Sequence, residues 1–220
     1  MSMAREDQIG PAAPGQFKLL REPLSGHCHR VELFMSLLGL KYEAVDIDVQ
    51  HGEAKSSAFQ ILNPLMEVPV LWHGNRLLCD SNAILYYLAL TFDRGLWLPR
   101  DPFGMSQVQR WLSIAAGELL NGPVTSRRIR LFGLDFDQER ALRESARLFK
   151  FLDDHLQGQH YLTGLSPTIA DIALYTYTAH APEGAISLQP YVNIRRWIQS
   201  IEEWPAFVGM QKSCNPAPLI

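Results

Sequence analysis

Asn63-Pro64-Leu65-Met66-Glu67-Val68-Pro69-Val70-Leu71-Trp72, followed by His73-Gly74-Asn75, Arg76-Leu77-Leu78-Cys79 and Asp80-Ser81, is the stretch on which the fold turns. Val68 to Trp72 is short, apolar and β-branched, which predicts a strand. Pro69 stands at its first residues, where a missing N–H does no harm. Gly74-Asn75 supplies a tight turn, and Arg76 to Cys79 returns as an antiparallel partner. Ser81 is expected to cap a helix whose core face carries Ile84, Leu85 and Leu88. A proline entering a strand from a loop is a candidate cis peptide, with the Val68 N–H and C=O free to pair with an added extended peptide. The start of the Ser81 helix offers unpaired N–H groups and partial positive charge to a carboxylate. Together these features suit a small, extended, acidic peptide. The alternative is a proline-started hairpin with an ordinary cap.

The 220 residues allow one large or two small domains, and 47% apolar content is ample for a core. A formal net charge of -3 with no basic run argues against a nucleic-acid binder. Cys28, Cys79 and Cys214 are an odd number with no secretory signal ahead of them, so they read as reduced thiols of a cytoplasmic protein. The apolar runs are too short to span a membrane. Residues 1–16, rich in Ala, Pro and Gly, are expected to form a flexible lead.

Outward from the hairpin, Phe17 to Leu20 predicts a first strand. After Arg21-Glu22-Pro23-Leu24 and Ser25-Gly26-His27-Cys28, a helix carries Val31, Phe34, Met35 and Leu38 on one face and stops at Gly39. Leu40 to Val49 alternates as a half-buried strand, and His51 to Phe59 reads as short helix and loop. This order fits a thioredoxin-like α/β domain over residues 17–93, with a right-handed crossover between its first two strands. Gly95, Pro99, Pro102 and Gly104 mark a linker, residues 94–104. No strand pattern recurs in residues 105–220, which predicts an all-helical domain. Its helices carry Val108, Trp111, Leu112 and Ala115 up to a stop at Asn121-Gly122-Pro123, then Leu142 to Leu156, then a helix from Thr168, then Ile194, Trp197, Ile198 and Ile201. Thr168-Ile169-Ala170-Asp171 is a capping box with Asp in place of Glu, assigned to folding.

Three motifs in order, Asn63-Pro64-x-x-x-Val68-Pro69-x-Leu71, Asp80-Ser81-x-Ala83-Ile84-x-x-Tyr87-Leu88 and Thr168-Ile169-Ala170-Asp171-Ile172-Ala173, resemble the glutathione transferase superfamily. The resemblance runs from Phe17 to Met210, and Tyr191 to Met210 is similar to the last helices of bacterial members. It implies a first domain that holds glutathione, a helical second domain that supplies the pocket for an apolar electrophile, and a homodimer, with no metal, nucleic-acid or membrane partner. Carried over residue by residue, Val68, before the family's cis-proline Pro69, pairs through its backbone with the cysteinyl part of glutathione. Asp80 and Ser81 match the acidic-Ser pair at the γ-glutamyl end. Glu67 shares that loop, with a solvated side chain as the alternative. His51 resembles a histidine that some theta-like members place near the glycine end, but the segment from His51 to Asn63 is longer here, and a surface-loop histidine is the alternative.

Ser25-Gly26-His27-Cys28 stands where thioredoxin-like redox proteins carry Cys-x-x-Cys. Serine in the attacking position cannot form a mixed disulfide, so the thiol must come from the bound tripeptide. The Ser25 hydroxyl and the helix start would then lower that thiol's pKa. The position also resembles the catalytic serine of theta- and delta-like transferases, and an N-cap role is compatible with it. Cys28 is the rival, as nucleophile of an omega- or glutaredoxin-type disulfide reductase or peroxidase. A binding module that performs no turnover is the third reading. Gly26 and His27 depart from the Ser-Ser-Cys-Ser pattern of the zeta-like isomerases, and no tyrosine near the end of the first strand supports alpha, mu or pi activation. One of Arg127, Arg128 and Arg130 is a candidate to reach the pocket and favour an anionic substrate, against a solvated helix face. Met105, Trp111 and Phe132 are candidate pocket-lining residues, with core packing as the alternative.

Overall fold

The computed structural model describes residues 8–213, so Cys214 lies outside the described residues. Strands β1 (Phe17–Arg21), β2 (Glu43–Asp46), β3 (Val70–His73) and β4 (Arg76–Cys79) form one sheet in the order β2-β1-β3-β4. β1 and β2 run parallel, with Leu20 opposite Val45, whereas β3 is antiparallel to both β1 and β4. Helix α1 (Gly26–Leu37) makes the crossover between the two parallel strands, and helix α2 (Ser57–Leu62) leads from β2 toward β3. Helix α3 (Ser81–Phe92) follows β4.

Period-two alternation sorts the sheet onto two cores. Leu19 and Leu71 face α1 and α3, packing with Phe34, Met35, Ile84, Leu85 and Leu88. Leu20, Val70 and Trp72 point the other way, onto Phe59 of α2 and Ile9. The burial of Ile9 corrects the flexible-lead reading over residues 8–16, and residues 1–7 lie outside the described residues. Ile9 is buried, its carbonyl accepts the Trp72 indole N–H at 2.9 Å, and Ala12 N–H donates to the Gly74 carbonyl at 3.1 Å. An apolar side chain over an otherwise open sheet face removes enough surface from water to hold the segment down.

Helices α4 (Pro102–Ala116), α5 (Thr125–Phe132), α6 (Gln138–His155), α7 (Ile169–Ala179) and α8 (Val192–Glu202) make the second half. Helix α7 is its axis: every residue from Ile169 to Thr178 is buried, and it packs against α1, α3 and α4. The expected stop at Asn121-Gly122-Pro123 is instead a π turn, Leu120–Val124, that runs straight into α5. Proline is tolerated there because a wide turn spares it the usual helical N–H bond. Gly122 is required by contact, since a Cβ would lie 2.9 Å from the Ser145 main-chain nitrogen. The segment between the halves is packed as well: Leu98 is fully buried, and the Trp97 carbonyl accepts the Ile169 N–H at 2.9 Å.

β3 begins two residues later than Val68 because Pro69 interrupts pairing, and β2 is shorter than the alternation from Leu40 to Val49, with Val49 exposed. Among the described residues no helix is long and apolar enough to cross a membrane.

Candidate functional site

Sheet topology gathers the candidate residues. β1 and β2 end at the same edge of the sheet, β3 starts there, and β4 ends there. The loop before Ser25, the turn bearing His51, the Glu67-Val68-Pro69 segment and Asp80-Ser81 therefore share one end of the domain.

Ser25 is the N-cap of α1, in extended conformation, and its Oγ accepts the Cys28 N–H at 3.4 Å. That is a long hydrogen bond for such a pair, and the Tyr177 hydroxyl is a further side-chain neighbour of Ser25. The loop that presents it is pinned from α5: Arg127 donates from Nη1 to the Leu24 carbonyl at 2.7 Å and from Nε to Glu183 at 2.6 Å. Arg127 is buried and neutralised by Glu183, so it builds the loop and does not reach outward as an anion-binding residue. The Tyr177 ring of α7 lies on Gly26, where a Cβ would sit 2.7 Å from the ring carbon bearing the hydroxyl. Only glycine lets α7 approach this closely.

Cys28 is fully buried, its Sγ accepting the Glu22 N–H at 3.4 Å, and burial pushes its thiol up to about 12. A protonated thiol without access cannot attack a disulfide. The helix start alone does not activate it, because the desolvation cost of a buried thiolate outweighs that help.

The Val68–Pro69 peptide is cis. Asn63, buried, shapes the loop ahead of it, donating from Nδ2 to the Glu67 carbonyl at 2.8 Å and accepting the Leu65 N–H at 3.1 Å. The Glu67 side chain is exposed. Asp80, not Ser81, is the N-cap of α3, corrected because its Oδ1 accepts the Ala83 N–H at 2.8 Å. Asp80 has φ 69° and ψ 123°, outside the left-handed well that short polar side chains tolerate, so its backbone is strained at this site. Ser81 becomes the first helical residue, buried, with Oγ 3.3 Å from Arg30 Nη1 and 3.4 Å from His27 Nδ1. Burial holds His27 well below the ordinary imidazole range, so it is neutral at neutral pH.

His51 lies in the turn after β2 with its ring exposed, and Nδ1 pairs with Asp48 at 2.7 Å. Trp111 is buried against Phe151 and His155 and belongs to the core, while Met105 and Phe132 are half-buried. Arg128 stacks on Phe136 at 5.7 Å. Among the described residues no group of three His, Cys, Asp or Glu side chains is placed to hold a metal ion.

Sequence reasoning passed over Arg30, His27 and Tyr177. A charged residue at position 30, inside the apolar face of α1, was the one local signal.

Residues 15–90 match the family model for the glutathione S-transferase N-terminal domain, and residues 131–205 match that for the C-terminal domain. The chain is 31% identical over 159 residues to a probable glutathione S-transferase of Nicotiana tabacum, covering 72% of this chain and 68% of the relative. It is 28% identical to glutathione S-transferase 2 of Anopheles gambiae, covering 89% and 90% of the two chains. The crystal structure of a glutathione S-transferase from Pseudomonas fluorescens superposes with a TM-score of 0.84 at 32% identity, over 89% of this chain and 99% of that one. The two matched domains fall one on each half of the fold, and this chain belongs to the glutathione S-transferase family.

Proposed function

We propose that this protein is a glutathione transferase in which Ser25 keeps the sulfur of bound glutathione ionised for attack on an apolar electrophile. Glutathione lies along the end of the sheet, its cysteinyl backbone on Val68 and its γ-glutamyl carboxylate at Ser81 and the start of α3. Asp80 faces the ligand's amino group. The observation that carries this reading is the pairing of a partly accessible Ser25 hydroxyl at the start of α1 with a sealed Cys28 thiol three residues on. The half-buried Ser25 hydroxyl can donate to a thiolate, and the first-turn N–H groups add partial positive charge. Each unit by which they lower the thiol pKa is worth about 1.4 kcal/mol of preferential thiolate stabilisation. Once the sulfur is ionised no catalytic base is needed, and the protein contributes positioning and electrostatics. Glu67 and His51 sit at the rim of this site, in reach of the solvated parts of the ligand. The protein works as a homodimer in the cytoplasm, with the electrophile held against the helical half.

The burial of Cys28 argues against the disulfide-reductase reading. The test is to measure glutathione affinity, ultraviolet absorbance of bound thiolate, and conjugation of an aromatic halide in wild type, Ser25→Ala and Cys28→Ala. Ser25→Ala should lower turnover about 100-fold or more, as removal of an anion-stabilising donor does elsewhere, with the thiolate signal lost at neutral pH. Cys28→Ala should retain both. Tight glutathione binding without any thiolate signal in wild type would instead support a binding module, and loss of activity confined to Cys28→Ala would reverse the assignment.

A further inference from the structure

Arg30 is among the most deeply buried side chains of the molecule, at 1% exposure, and no carboxylate among the described residues forms an ion pair with it. Its Nη1 donates to Asn82 Oδ1 at 2.9 Å and to Ser81 Oγ at 3.3 Å. Its Nε and Nη2 are buried without a hydrogen-bond partner. The guanidinium carbon lies 6.0 Å from the centre of the Tyr177 ring. Asp80 lies near enough for its charge to favour the cation, but burying a cation without a direct ion pair is still costly. Burial pushes Arg30 down to about 10, so it still carries its charge at neutral pH.

The charge stands directly behind the first turn of α3, a helix of 12 residues whose N–H groups already favour an anion. The hydroxyl of Ser81 has one hydrogen to give and two lone pairs to fill. Arg30 Nη1 fills one, and His27, as the Nδ1–H tautomer, can fill the other. The Ser81 hydrogen is then left for a ligand.

We propose that Arg30 is a positioning residue for the anionic end of the ligand: it turns the Ser81 hydroxyl outward and supplies, from behind α3, the full positive charge that selects a tripeptide with a free γ-glutamyl carboxylate. This rests on the reading of the site as a glutathione site. Asp80 offsets part of the Arg30 charge without forming an ion pair with it, and the ligand carboxylate completes that compensation, so the preference comes from the interior of α1 and not from a surface lysine or arginine.

The test compares glutathione with 4-aminobutanoyl-cysteinyl-glycine, which lacks only that carboxylate, by calorimetric titration of the full-length protein. Wild type should bind glutathione far more tightly. Arg30→Gln should weaken glutathione binding about 10–100-fold, the range for a lost hydrogen-bonded charge, and change binding of the truncated tripeptide less than about threefold. Turnover at saturating glutathione should fall less than about threefold, so the effect resides in KM. Arg30→Lys keeps the charge and stem, tests the same point if the Gln variant does not fold, and should keep most of the preference. Equal weakening of both ligands would indicate a merely structural stitch between α1 and α3 and would overturn the proposal. So would an unaltered preference in Arg30→Gln, or a folded Lys variant with no preference. If wild type binds neither tripeptide, the glutathione reading itself fails, an outcome distinct from binding that ignores Arg30.

Discussion

Ser25 at the start of α1 and Thr168 at the start of α7 each accept a main-chain N–H, from Cys28 at 3.4 Å and from Ala170 at 3.3 Å. What surrounds the two caps differs. At α7 the Asp171 carboxylate takes the N–H groups of Thr168 and Leu162 and the indole N–H of Trp197, all at 2.9 Å. That carboxylate joins the Leu162 turn, α7 and α8, is fully buried, and has no oxygen left facing solvent. At α1 no acidic residue follows the cap in the first turn, and the serine is partly exposed. The same local chemistry thus gives a closed joint in one place and, in the other, a cap whose serine stays partly accessible. A helix start becomes a functional site when its N–H groups are left unsatisfied by the fold and accessible to a ligand.

The comparison breaks most visibly at Asp171. Asp171→Ala strands three buried donors, and urea unfolding should show a loss of roughly 3–5 kcal/mol, while any folded protein keeps wild-type glutathione affinity. A comparable loss from Ser25→Ala would show that the α1 cap is a joint of the same kind. It should cost only about 1 kcal/mol, as should Thr168→Ala, which leaves the Asp171 network standing.

His29 links the two helices, its Nδ1 2.8 Å from Thr176 Oγ1 and its Nε2 2.8 Å from the Val208 carbonyl. A carbonyl can only accept, so the hydrogen is on Nε2 and the neutral ring accepts the Thr176 hydroxyl at Nδ1. Burial lowers this histidine to about 4. The unfolded chain therefore takes up a proton that the folded one refuses between about pH 6.5 and that value. Stability attributable to His29 is full above the unfolded value and falls as pH drops, by roughly 2 kcal/mol between about pH 7 and about pH 5. Thermal melts across that range should show the slope in wild type and a shallower one in His29→Gln.

The smallest effect concerns Cys28. With the thiol sealed, native protein should resist an alkylating reagent at Cys28 at neutral pH and become labelled on unfolding, as mass spectrometry would show. Rapid native labelling would mean that the start of α1 is open to its second turn and would return Cys28 to consideration as the nucleophile.

Features set by neighbours in the chain were legible beforehand. Val68-Pro69 at a strand entrance, Gly74-Asn75 between two apolar runs and Thr168 three residues before Asp171 are each decided within a few residues, by turn chemistry and capping. The capping box, the hairpin and the end of α1 at Gly39 are present as read. The misplaced cap at Asp80 shows the limit: two polar residues in a row both suit a helix start, and only the backbone angle of the first distinguishes them. Residues 8–16 and the passage through Pro123 were misread because their polar or helix-breaking character was outweighed by contacts with Trp72 and with Ser145.

The chain alone determined an α/β domain followed by a helical one and the capping box at Thr168–Asp171, and marked Ser25, Val68, Asp80 and Ser81 as candidate site residues, because period, turn and cap act over short separations. Tertiary structure alone decided that Cys28 is sealed, that Arg127 is neutralised by Glu183, and that Arg30 stands behind Ser81 with the nearby charge of Asp80 but no direct ion pair. Burial and charge pairing depend on which distant elements meet, and Arg30 lies 51 residues from Ser81 and His29 147 from Thr176.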